Sequence, residues 1–217
     1  MYKGFLINLD RREDRLQQAN EVLHKTGICI ERVSAVDGAE LEITDQLRAR
    51  INPWNLNKRN IPNPKKLGGI LGCCLSHLSV WEKISALTDE YVFVFEDDVA
   101  FYHKDFNFAE NWKDIEMFLP EDFGLVWLNA KKLTRPSGNC YPKNNRIIPT
   151  TEAYIVTPEF AKQLYDDITN NLGAVDAHMS QLCNKLCKSD NNKNKKFYKL
   201  ENPFFCQRSA DTDIQFH

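Results

Sequence analysis

Three consecutive carboxylates, Glu96, Asp97 and Asp98, follow directly after the continuous apolar run 91–95. Such a run is typical of a strand that is buried on both faces, and in a parallel α/β sheet ligands gather where the strands end. Alternation along an extended segment places Glu96 and Asp98 on one side and Asp97 on the other. Close carboxylates repel each other unless a cation or hydrogen-bond donors relieve them, and Mg²⁺ or Mn²⁺ suits carboxylate plus phosphate ligands. The spacing therefore favours a divalent metal site over the alternative, a solvated turn after a strand.

The seven cysteines raise the question of a zinc site. One combination of metal-ligating residue types is available: His178, Cys183, Cys187 and Cys206. It lacks the Cys-x-x-Cys spacing of structural zinc modules, and an odd number of scattered cysteines favours free thiols. We therefore expect thiols that pack as small apolar groups, including the adjacent Cys73 and Cys74 in the core.

The composition of the 217 residues is that of a globular protein, with 42% hydrophobic residues, 27% charged residues and a net charge of −2. These values exclude wholesale disorder and a collagen-like chain. The near-neutral charge argues against a nucleic-acid binder that works through a basic surface. No apolar run approaches the ~20 residues that cross a bilayer, and the first residues do not resemble a signal peptide. We expect a single domain over residues 1–217, without a membrane span, in the cytoplasm.

The elements that must position the carboxylates begin with a β-α-β unit. Residues 2–9 form an apolar, β-prone run, residues 12–26 have helical apolar spacing, and residues 28–36 alternate as in a strand. This order is the opening of a parallel sheet. The remaining predicted elements are strands over 91–95, 124–128 and 153–156 and helices over 106–118, 158–168 and 175–187. Together they predict an α/β fold with a mostly parallel, Rossmann-like central sheet flanked by helices.

Two long segments have the composition of loops. Residues 48–67 are rich in proline and asparagine, and residues 131–149 are polar with proline and glycine, so both are predicted as loops. Residues 189–196 are predicted as an exposed turn. Three glycines follow the first loop and precede a helix that runs to about residue 87, so their amides and the helix N-terminus are expected to approach a ligand closely. These glycines are Gly68, Gly69 and Gly72.

Seven short motifs occur along nearly the whole chain. They are Ile7-Asn-Leu-Asp10 with Arg11, Arg12 and Arg15; Ala35-Val-Asp-Gly38; Gly69-x-x-Gly72-x-x-x-Ser76-His77-x-x-x-Trp81; Phe95-Glu-Asp-Asp-Val99; Thr150-Thr-Glu-Ala-Tyr154; Val175-Asp176; and Asp211-Thr-Asp213-Ile214. Each motif is weak alone, but in this order the set is specific. The chain resembles glycosyltransferase family 25, which includes lipopolysaccharide-type glycosyltransferases and collagen galactosyltransferases.

The resemblance implies a GT-A-like fold, a nucleotide-diphosphate sugar as donor, and a divalent cation, usually Mn²⁺, with Mg²⁺ as the alternative. It implies that Glu96 and Asp98 hold the cation at the two phosphates and that Asp213 closes the site over metal or donor. A frayed terminus is the structural alternative for Asp213. The donor that we expect is a UDP-hexose, either UDP-galactose or UDP-glucose.

The resemblance also implies a set of donor-binding residues, namely Asn8, Asp10, Arg11, Arg15, Asp37, Gly69, Gly72, Ser76, His77 and Asp97. Arginine binds phosphate through paired hydrogen bonds, and Asp37 is placed to accept from uracil or ribose. Structural alternatives stay open for three of these groups. Residues 11–15 also suit an exposed helix start, Asp37-Gly38 suits a turn, and His77 suits a packed core, as Trp81 does.

Members of the family act with inversion at the sugar carbon, so one carboxylate must take the acceptor proton on the face opposite the diphosphate. The predicted base is Asp176, at the start of the helix over 175–187. Its structural alternative is an N-cap residue. Glu152 and Asp211 are the second choices for the base.

The predicted function is therefore metal-dependent inverting transfer of galactose or glucose from a UDP-sugar to a hydroxyl group. A lipopolysaccharide sugar, another glycan and the hydroxylysine of a collagen-like chain stay open as acceptors, and segments 48–67 and 130–149 are expected to select among them. Two other classes remain as hypotheses. One is a binding module for a sugar or a partner that keeps the fold without catalysis. The other is a metal-dependent nuclease or phosphohydrolase, which the lack of a basic surface disfavours.

Overall fold

The computed structural model describes residues 1–57, 63–103, 107–129, 141–142, 150–189, 197–200 and 203–208. The strands are β1 (Lys3–Asn8), β2 (Cys29–Ser34), β3 (Val92–Glu96), β4 (Val99–Phe101), β5 (Leu125–Trp127), β6 (Tyr141–Pro142), β7 (Ala153–Val156), β8 (Phe197–Lys199) and β9 (Phe205–Gln207). The helices are α1 (Glu13–Leu23), α2 (Asp45–Arg50), α3 (Pro53–Leu56), α4 (Pro64–Ser85), α5 (Phe108–Glu116), α6 (Pro158–Ile168) and α7 (Val175–Ser189). Within these ranges, no helix is both long enough and apolar enough to cross a membrane.

Seven strands form one sheet in the order β2-β1-β3-β7-β5-β8-β6. The pairs β1–β2, β1–β3 and β5–β8 are parallel, whereas β7 runs antiparallel to both of its neighbours and β6 runs antiparallel to β8. Within this sheet, all strands except β6 and β7 therefore point the same way. The predicted α/β fold with a mostly parallel, Rossmann-like sheet is confirmed. A second, two-stranded antiparallel sheet pairs β4 with β9.

Successive side chains of the central strands face opposite sides of the sheet. On β3, Val92 and Val94 belong to the core cluster that contains α4, α6 and α7 side chains, whereas Phe93 and Phe95 belong to the cluster with α1 and α5 side chains. Burial on both faces is the physical reason for the unbroken apolar run before the acidic triplet.

The carboxyl ends of β1, β2 and β3 meet at one edge of the sheet because these strands are parallel. Ile7 stands opposite Glu96 in the register of β1 and β3. Because β7 runs in the other direction, it begins at this edge, and Ala153 pairs with Phe95. The backbone N–H of Glu96 donates to the carbonyl oxygen of Glu152 at 3.1 Å. Two acidic segments thus reach one edge from opposite chain directions.

Most of the predicted elements are confirmed. The first β-α-β unit is present, and a 3₁₀ turn, His24–Thr26, lengthens its helix up to Gly27, whose φ of 71° glycine adopts without strain. The strand over 153–156 and the helix over 158–168 have the predicted bounds. These elements depend on local periodicity and capping, which the sequence displays directly.

The predicted loop over 48–67 is wrong for most of the residues that the structure describes. Pro53–Leu56 is a short helix, and α4 already begins at Pro64. Asn52 and Asn63 each accept a hydrogen bond from the backbone N–H two residues further on. The Asn-Pro pairs are therefore N-caps followed by proline in the first turn, where its missing N–H costs nothing.

Three short strands, β4, β8 and β9, add to the predicted set. The predicted loop 131–149 lies outside the described residues except for 141–142, which form β6. The predicted turn 189–196 also lies outside them, except that Ser189 ends α7. The pairing of β9 with β4 matters for the site because it carries the chain past residue 205 back to the acidic edge.

Candidate functional site

A cleft of about 890 Å³ opens at the carboxyl edge of β1, β2 and β3. Its walls come from the segments that follow these strands, the first half of α4, the residues before β7 and the start of α7. The volume lies within the range of small-molecule sites, roughly 300–1,000 Å³. Among the described residues, six carboxylates line the cleft: Asp37, Glu96, Asp97, Asp98, Glu152 and Asp176.

The side chains of the acidic triplet bind different partners. Asp97 and Asp98 form the turn between β3 and β4, so the expected extended alternation is wrong in its geometry. Asp97 accepts from Asn8 Nδ2 at 2.9 Å and pairs with Arg15 at 3.0 Å. Asp98 Oδ2 accepts from Gln207 Nε2 at 2.7 Å. The turn leads from β3 into β4, a strand that the sequence prediction does not contain and that pairs with β9.

Glu96 is held by one of its two carboxylate oxygens. His77 Nε2 lies 2.9 Å from Oε1, and Thr151 Oγ1 donates to the same oxygen at 2.5 Å. The Glu96 side chain is 23% exposed and lines the cleft. Burial raises the pKa of Glu96, but the hydrogen bonds from His77 and Thr151 and the charge of Arg15 bring it below its usual value. Glu96 is therefore a carboxylate at neutral pH.

Two deeper carboxyl groups have the opposite shift. Burial, followed by the charges of Glu96, Glu152 and Asp97, raises the pKa of Asp98 to about 7. Burial and the charge of Glu96 also raise the pKa of Glu152 to about 7. A bound cation would relieve this repulsion, and without one the site holds protons near neutral pH.

The carboxylate oxygens at this edge of the sheet fit a divalent cation. Asp98 Oδ1 is buried and has no hydrogen-bond partner among the described residues, and both hydrogen bonds to Glu96 fall on Oε1, which leaves Oε2 for another ligand. Carboxylate oxygens suit Mn²⁺ and Mg²⁺. Asp213, the third predicted ligand, lies outside the described residues, although Gln207 on β9 brings the neighbouring segment to Asp98.

The predicted donor-binding residues that follow β1 and β2 form two groups at the cleft, and Asp10 lies apart from both. Asn8 and Arg15 are buried and hold Asp97. Arg11 pairs with Asp37 at the rim of the cleft, and Arg11 lowers the pKa of this aspartate. The structure therefore brings four of these residues to the cleft.

Asp10 does not join them. Its side chain is 71% exposed and accepts hydrogen bonds from Arg32 and from Ser34 Oγ. It does not line the cleft. The residue belongs to the surface between the ends of β1 and β2, and its predicted role in donor binding has no support from this placement.

The glycines lie inside α4 rather than before it, so their predicted place ahead of the helix is wrong, whereas the N-terminal residues of the helix, Pro64 and Lys65, do line the cleft. Gly69 lines the cleft, but Gly72 faces the segment after β2, where a Cβ on Gly72 would lie 2.6 Å from the carbonyl oxygen of Val36. Ser76 lines the cleft, where its Oγ accepts from the Val36 N–H at 2.8 Å and donates to the Gly72 carbonyl oxygen at 2.7 Å. This face of α4 holds the segment that carries Asp37.

His77 is fully buried beneath the acidic edge. Its Nδ1 lies 2.9 Å from the hydroxyl of Tyr154, which also accepts from Trp81 Nε1 at 2.9 Å. The expected burial of Trp81 is confirmed. His77 contacts Glu96, and both residues line the cleft.

Sequence reasoning from spacing missed the contribution of Thr151, Tyr154 and Gln207. Thr151 comes immediately before the buried strand β7, just as the acidic triplet comes after β3. The sequence gives no direction to the strand over 153–156, so it does not place the start of β7 at the carboxyl edge, where the antiparallel pairing with β3 puts it. The signal for Gln207 lies only in the tertiary pairing of β9.

Asp176 lies at the cleft as the second residue of α7 and not at its N-cap. Its Oδ1 accepts from the N–H of Ala177 at 2.7 Å. Burial, together with the charge of Glu96, raises the pKa of Asp176. Glu152 is more deeply buried, and Asp211 lies outside the described residues.

None of the cysteines that the structure describes forms a disulfide. The expected burial of Cys74 is confirmed, but Cys73 is only partly buried and lines the cleft. Cys73, His77 and Glu96 place one ligand atom each within 4.8 Å of one another. Among the described side chains, this is the group in which three His, Cys, Asp or Glu ligand atoms come so close together. The combination of His178 with three cysteines, which the sequence disfavours as a zinc site, is not such a group, and the Cys187 side chain lies outside the description.

Relatives of the chain share only part of their length with it. Mouse procollagen galactosyltransferase 2 is 39% identical over 105 residues, which is 46% of this chain and 16% of the mouse protein. Human procollagen galactosyltransferase 2 is 37% identical over 134 residues, 59% of this chain and 21% of the human protein. The chain thus matches about a fifth of these relatives or less.

A solved glycosyltransferase involved in glycosylation of the major capsid of PBCV-1 aligns with 98% of this chain and 95% of its own, at 11% identity and a TM-score of 0.49. The family match covers more of this chain than the matches to the two procollagen galactosyltransferases do. Residues 1–179 match Glycosyltransferase family 25 (LPS biosynthesis protein), a range that includes the acidic triplet, the His77 helix and Asp176. The chain belongs to glycosyltransferase family 25.

Proposed function

We propose that this chain is a metal-dependent, inverting glycosyltransferase that moves a hexose from a UDP-sugar to an acceptor hydroxyl. The observation that carries the proposal is the carboxylate pair Glu96 and Asp98 at the cleft, with Asp98 Oδ1 buried and without a hydrogen-bond partner among the described residues. Membership of family 25 supports the reaction class.

Glu96 and Asp98 would hold the cation, with Asp213 as the third ligand expected from the family resemblance. When bound, the cation supplies positive charge for the diphosphate that departs with the nucleotide. At the rim, Arg11 would bind phosphate and Asp37 the nucleoside, since both already meet at the mouth of the cleft. Asn8 and Arg15 would hold Asp97 in place behind them.

Asp176 is the base in this proposal. The acceptor oxygen bonds to the anomeric carbon, the bond from that carbon to the diphosphate oxygen breaks, and the hydroxyl proton passes to Asp176. The raised pKa of Asp176 makes its carboxylate a stronger base than an exposed aspartate. Glu152 is the alternative base, but its deeper burial leaves less room for an acceptor.

The names of the relatives guide the choice of substrates. Because two of them are procollagen galactosyltransferases, UDP-galactose is the first donor to test and UDP-glucose the second. Hydroxylysine of a collagen-like chain is the first acceptor class, and lipopolysaccharide sugars and other glycans follow from the family description.

The proposal is tested by thermal unfolding and UDP release with a panel of nucleotide sugars, with and without Mn²⁺, followed by an acceptor array. We expect UDP-hexoses to stabilise the protein in the presence of Mn²⁺ and to release UDP. Asp176→Asn should bind donor and Mn²⁺ as the wild type does but lose transfer, whereas Asp166→Asn, on the exposed side of α6, should keep full activity. Donor binding without any transfer or hydrolysis would favour the binding module, and binding of no UDP-sugar would contradict the proposed function.

A further inference from the structure

We propose that Trp81, Tyr154 and His77 form a hydrogen-bonded relay that fixes the orientation of Glu96 as a cation ligand. The inference rests on the proposed function, because it assumes that Glu96 binds a cation. His77 and Tyr154 are positioning residues in this account. The chain of contacts is continuous: Trp81 Nε1 to Tyr154 Oη at 2.9 Å, Tyr154 Oη to His77 Nδ1 at 2.9 Å, and His77 Nε2 to Glu96 Oε1 at 2.9 Å.

Donor and acceptor counting gives the relay a direction. The indole N–H only donates, so Tyr154 Oη accepts from Trp81. The Tyr154 hydroxyl then donates its own proton to His77 Nδ1, since no other acceptor for it is found in the described part of the chain. With Nδ1 accepting, the imidazole proton lies on Nε2 and is donated to Glu96 Oε1. All three residues of the relay are fully buried, so water does not compete for these bonds.

The relay determines which oxygen of Glu96 serves the cleft. His77 and Thr151 both bind Oε1, so the carboxylate plane is fixed and Oε2 is left for the cation. The terminal torsion of glutamate has no sharp minimum of its own. Outer partners that orient a ligand in this way change metal affinity by roughly 10–100-fold when they are removed.

The protein contains a matched arrangement that does not lead to the cleft. On the other face of the sheet, Trp112 Nε1 donates to Tyr91 Oη at 3.3 Å, and the Tyr91 hydroxyl donates to Glu116 on α5. Glu116 does not line the cleft. Tyr91→Phe therefore removes a buried tyrosine hydroxyl beside a tryptophan, as Tyr154→Phe does, without touching Glu96.

The experiment measures the Kd of Mn²⁺ alone, without donor, by titration calorimetry on the full chain of wild type, Tyr154→Phe and Tyr91→Phe, with thermal unfolding of each. We expect Tyr154→Phe to raise the Kd by about 10-fold or more and Tyr91→Phe to leave it at the wild-type value, although both lose stability. Equal Mn²⁺ affinities in the two variants would overturn the relay while leaving the proposed function intact. A wild type that binds no Mn²⁺ would overturn both.

A second pair of variants applies even where Tyr154→Phe does not fold. The amide nitrogen of His77→Gln takes the place of Nε2 and keeps a donor towards Glu96, whereas His77→Asn keeps only the side that faces Tyr154. We expect His77→Gln to bind Mn²⁺ close to the wild-type Kd and His77→Asn to bind about 10-fold more weakly. The same Kd in both would contradict the assignment of Nε2 as the donor to Glu96.

Discussion

Gly38 and Gly68 touch backbone to backbone. A Cβ on Gly68 would lie 2.2 Å from the carbonyl oxygen of Gly38, and a Cβ on Gly38 would lie 2.2 Å from the carbonyl oxygen of Gly68. Both residues line the cleft. This contact sets the distance between α4 and the segment that carries Asp37. The width of the cleft therefore depends on both residues being glycine, without a Cβ atom.

Gly68→Ala should therefore destabilise the protein by about 1–3 kcal/mol, because the added methyl group must push backbone away. Alanine favours a helix over glycine by up to ~1 kcal/mol, which offsets part of this cost. Chemical denaturation measures the free energy of unfolding. Lys66→Ala, two residues earlier on the exposed side of α4, is the control and should change stability little; a Gly68→Ala protein as stable as this control would contradict the packing account.

Asp98→Asn should raise the stability of the metal-free protein and remove the stabilisation by Mn²⁺. The substitution deletes one charge from a cluster in which burial and neighbouring carboxylates already raise the pKa of Asp98 to about 7. We expect a gain of about 1–2 kcal/mol without metal, the equivalent of about one pKa unit of relieved repulsion or slightly more. Thermal unfolding with and without Mn²⁺ gives both numbers.

The neighbouring Asp97→Asn is the matched control with the opposite sign. Asp97 pairs with the buried Arg15, so its neutralisation leaves a buried guanidinium without its counter-charge and should destabilise the protein. If both substitutions shifted stability in the same direction, the division of the triplet into a cation ligand and an ion-pair partner would be wrong.

Glu152 makes the metal-free protein more stable in mild acid than in mild base. Its pKa is 4.5 ordinarily and about 7 in the fold, so the folded state binds a proton that the unfolded state has lost between these values. The stabilising contribution is complete below pH 4.5 and is lost as the pH rises through about 7. Its size is at most about 3.5 kcal/mol.

Glu152→Gln should remove the Glu152 part of this dependence, because the amide does not titrate, while Asp98, whose pKa is also raised to about 7, keeps its own part. We expect the variant to exceed the wild type in stability at about pH 8 and to come close to it at about pH 4, below the ordinary pKa of glutamate, as measured by denaturant unfolding at both pH values in the presence of a chelator. A wild-type profile that is flat between them would contradict the shifted pKa of Glu152.

Soft divalent cations should compete at the cleft through Cys73. Its sulfur lies with His77 and Glu96 in a group whose ligand atoms are within 4.8 Å, and thiolate with imidazole favours Zn²⁺ over Mn²⁺. We expect Zn²⁺ to bind the wild type and to lose affinity by about 10-fold or more in Cys73→Ser, since one of three ligands changes. Cys29→Ser, at an exposed position on β2, is the control for non-specific thiol binding. Unchanged Zn²⁺ affinity in Cys73→Ser would exclude the thiol as a ligand.

The sequence alone determined the parts of this protein that depend on neighbours along the chain. The first β-α-β unit, the bounds of α6 and the position of the acidic triplet at the end of a buried strand all follow from apolar periodicity and from caps, which act over a few residues. The two Asn-Pro helix starts also depend on neighbouring residues. Because asparagine and proline are equally common in loops, the composition of this segment led to the wrong prediction of a loop.

Only the tertiary structure decided which of these residues act together. The reversed direction of β7 brings Thr151 and Glu152 to the edge where β3 ends, and β9 brings Gln207 to Asp98 across more than a hundred residues. Gly68 contacts the backbone of Gly38, which is distant in the sequence, and does not lie at a helix end. His77 contacts Tyr154 because α4 packs on the sheet. Strand direction and helix packing depend on the free energy of burying apolar faces over the whole core. A pattern of a few neighbouring residues does not determine that total.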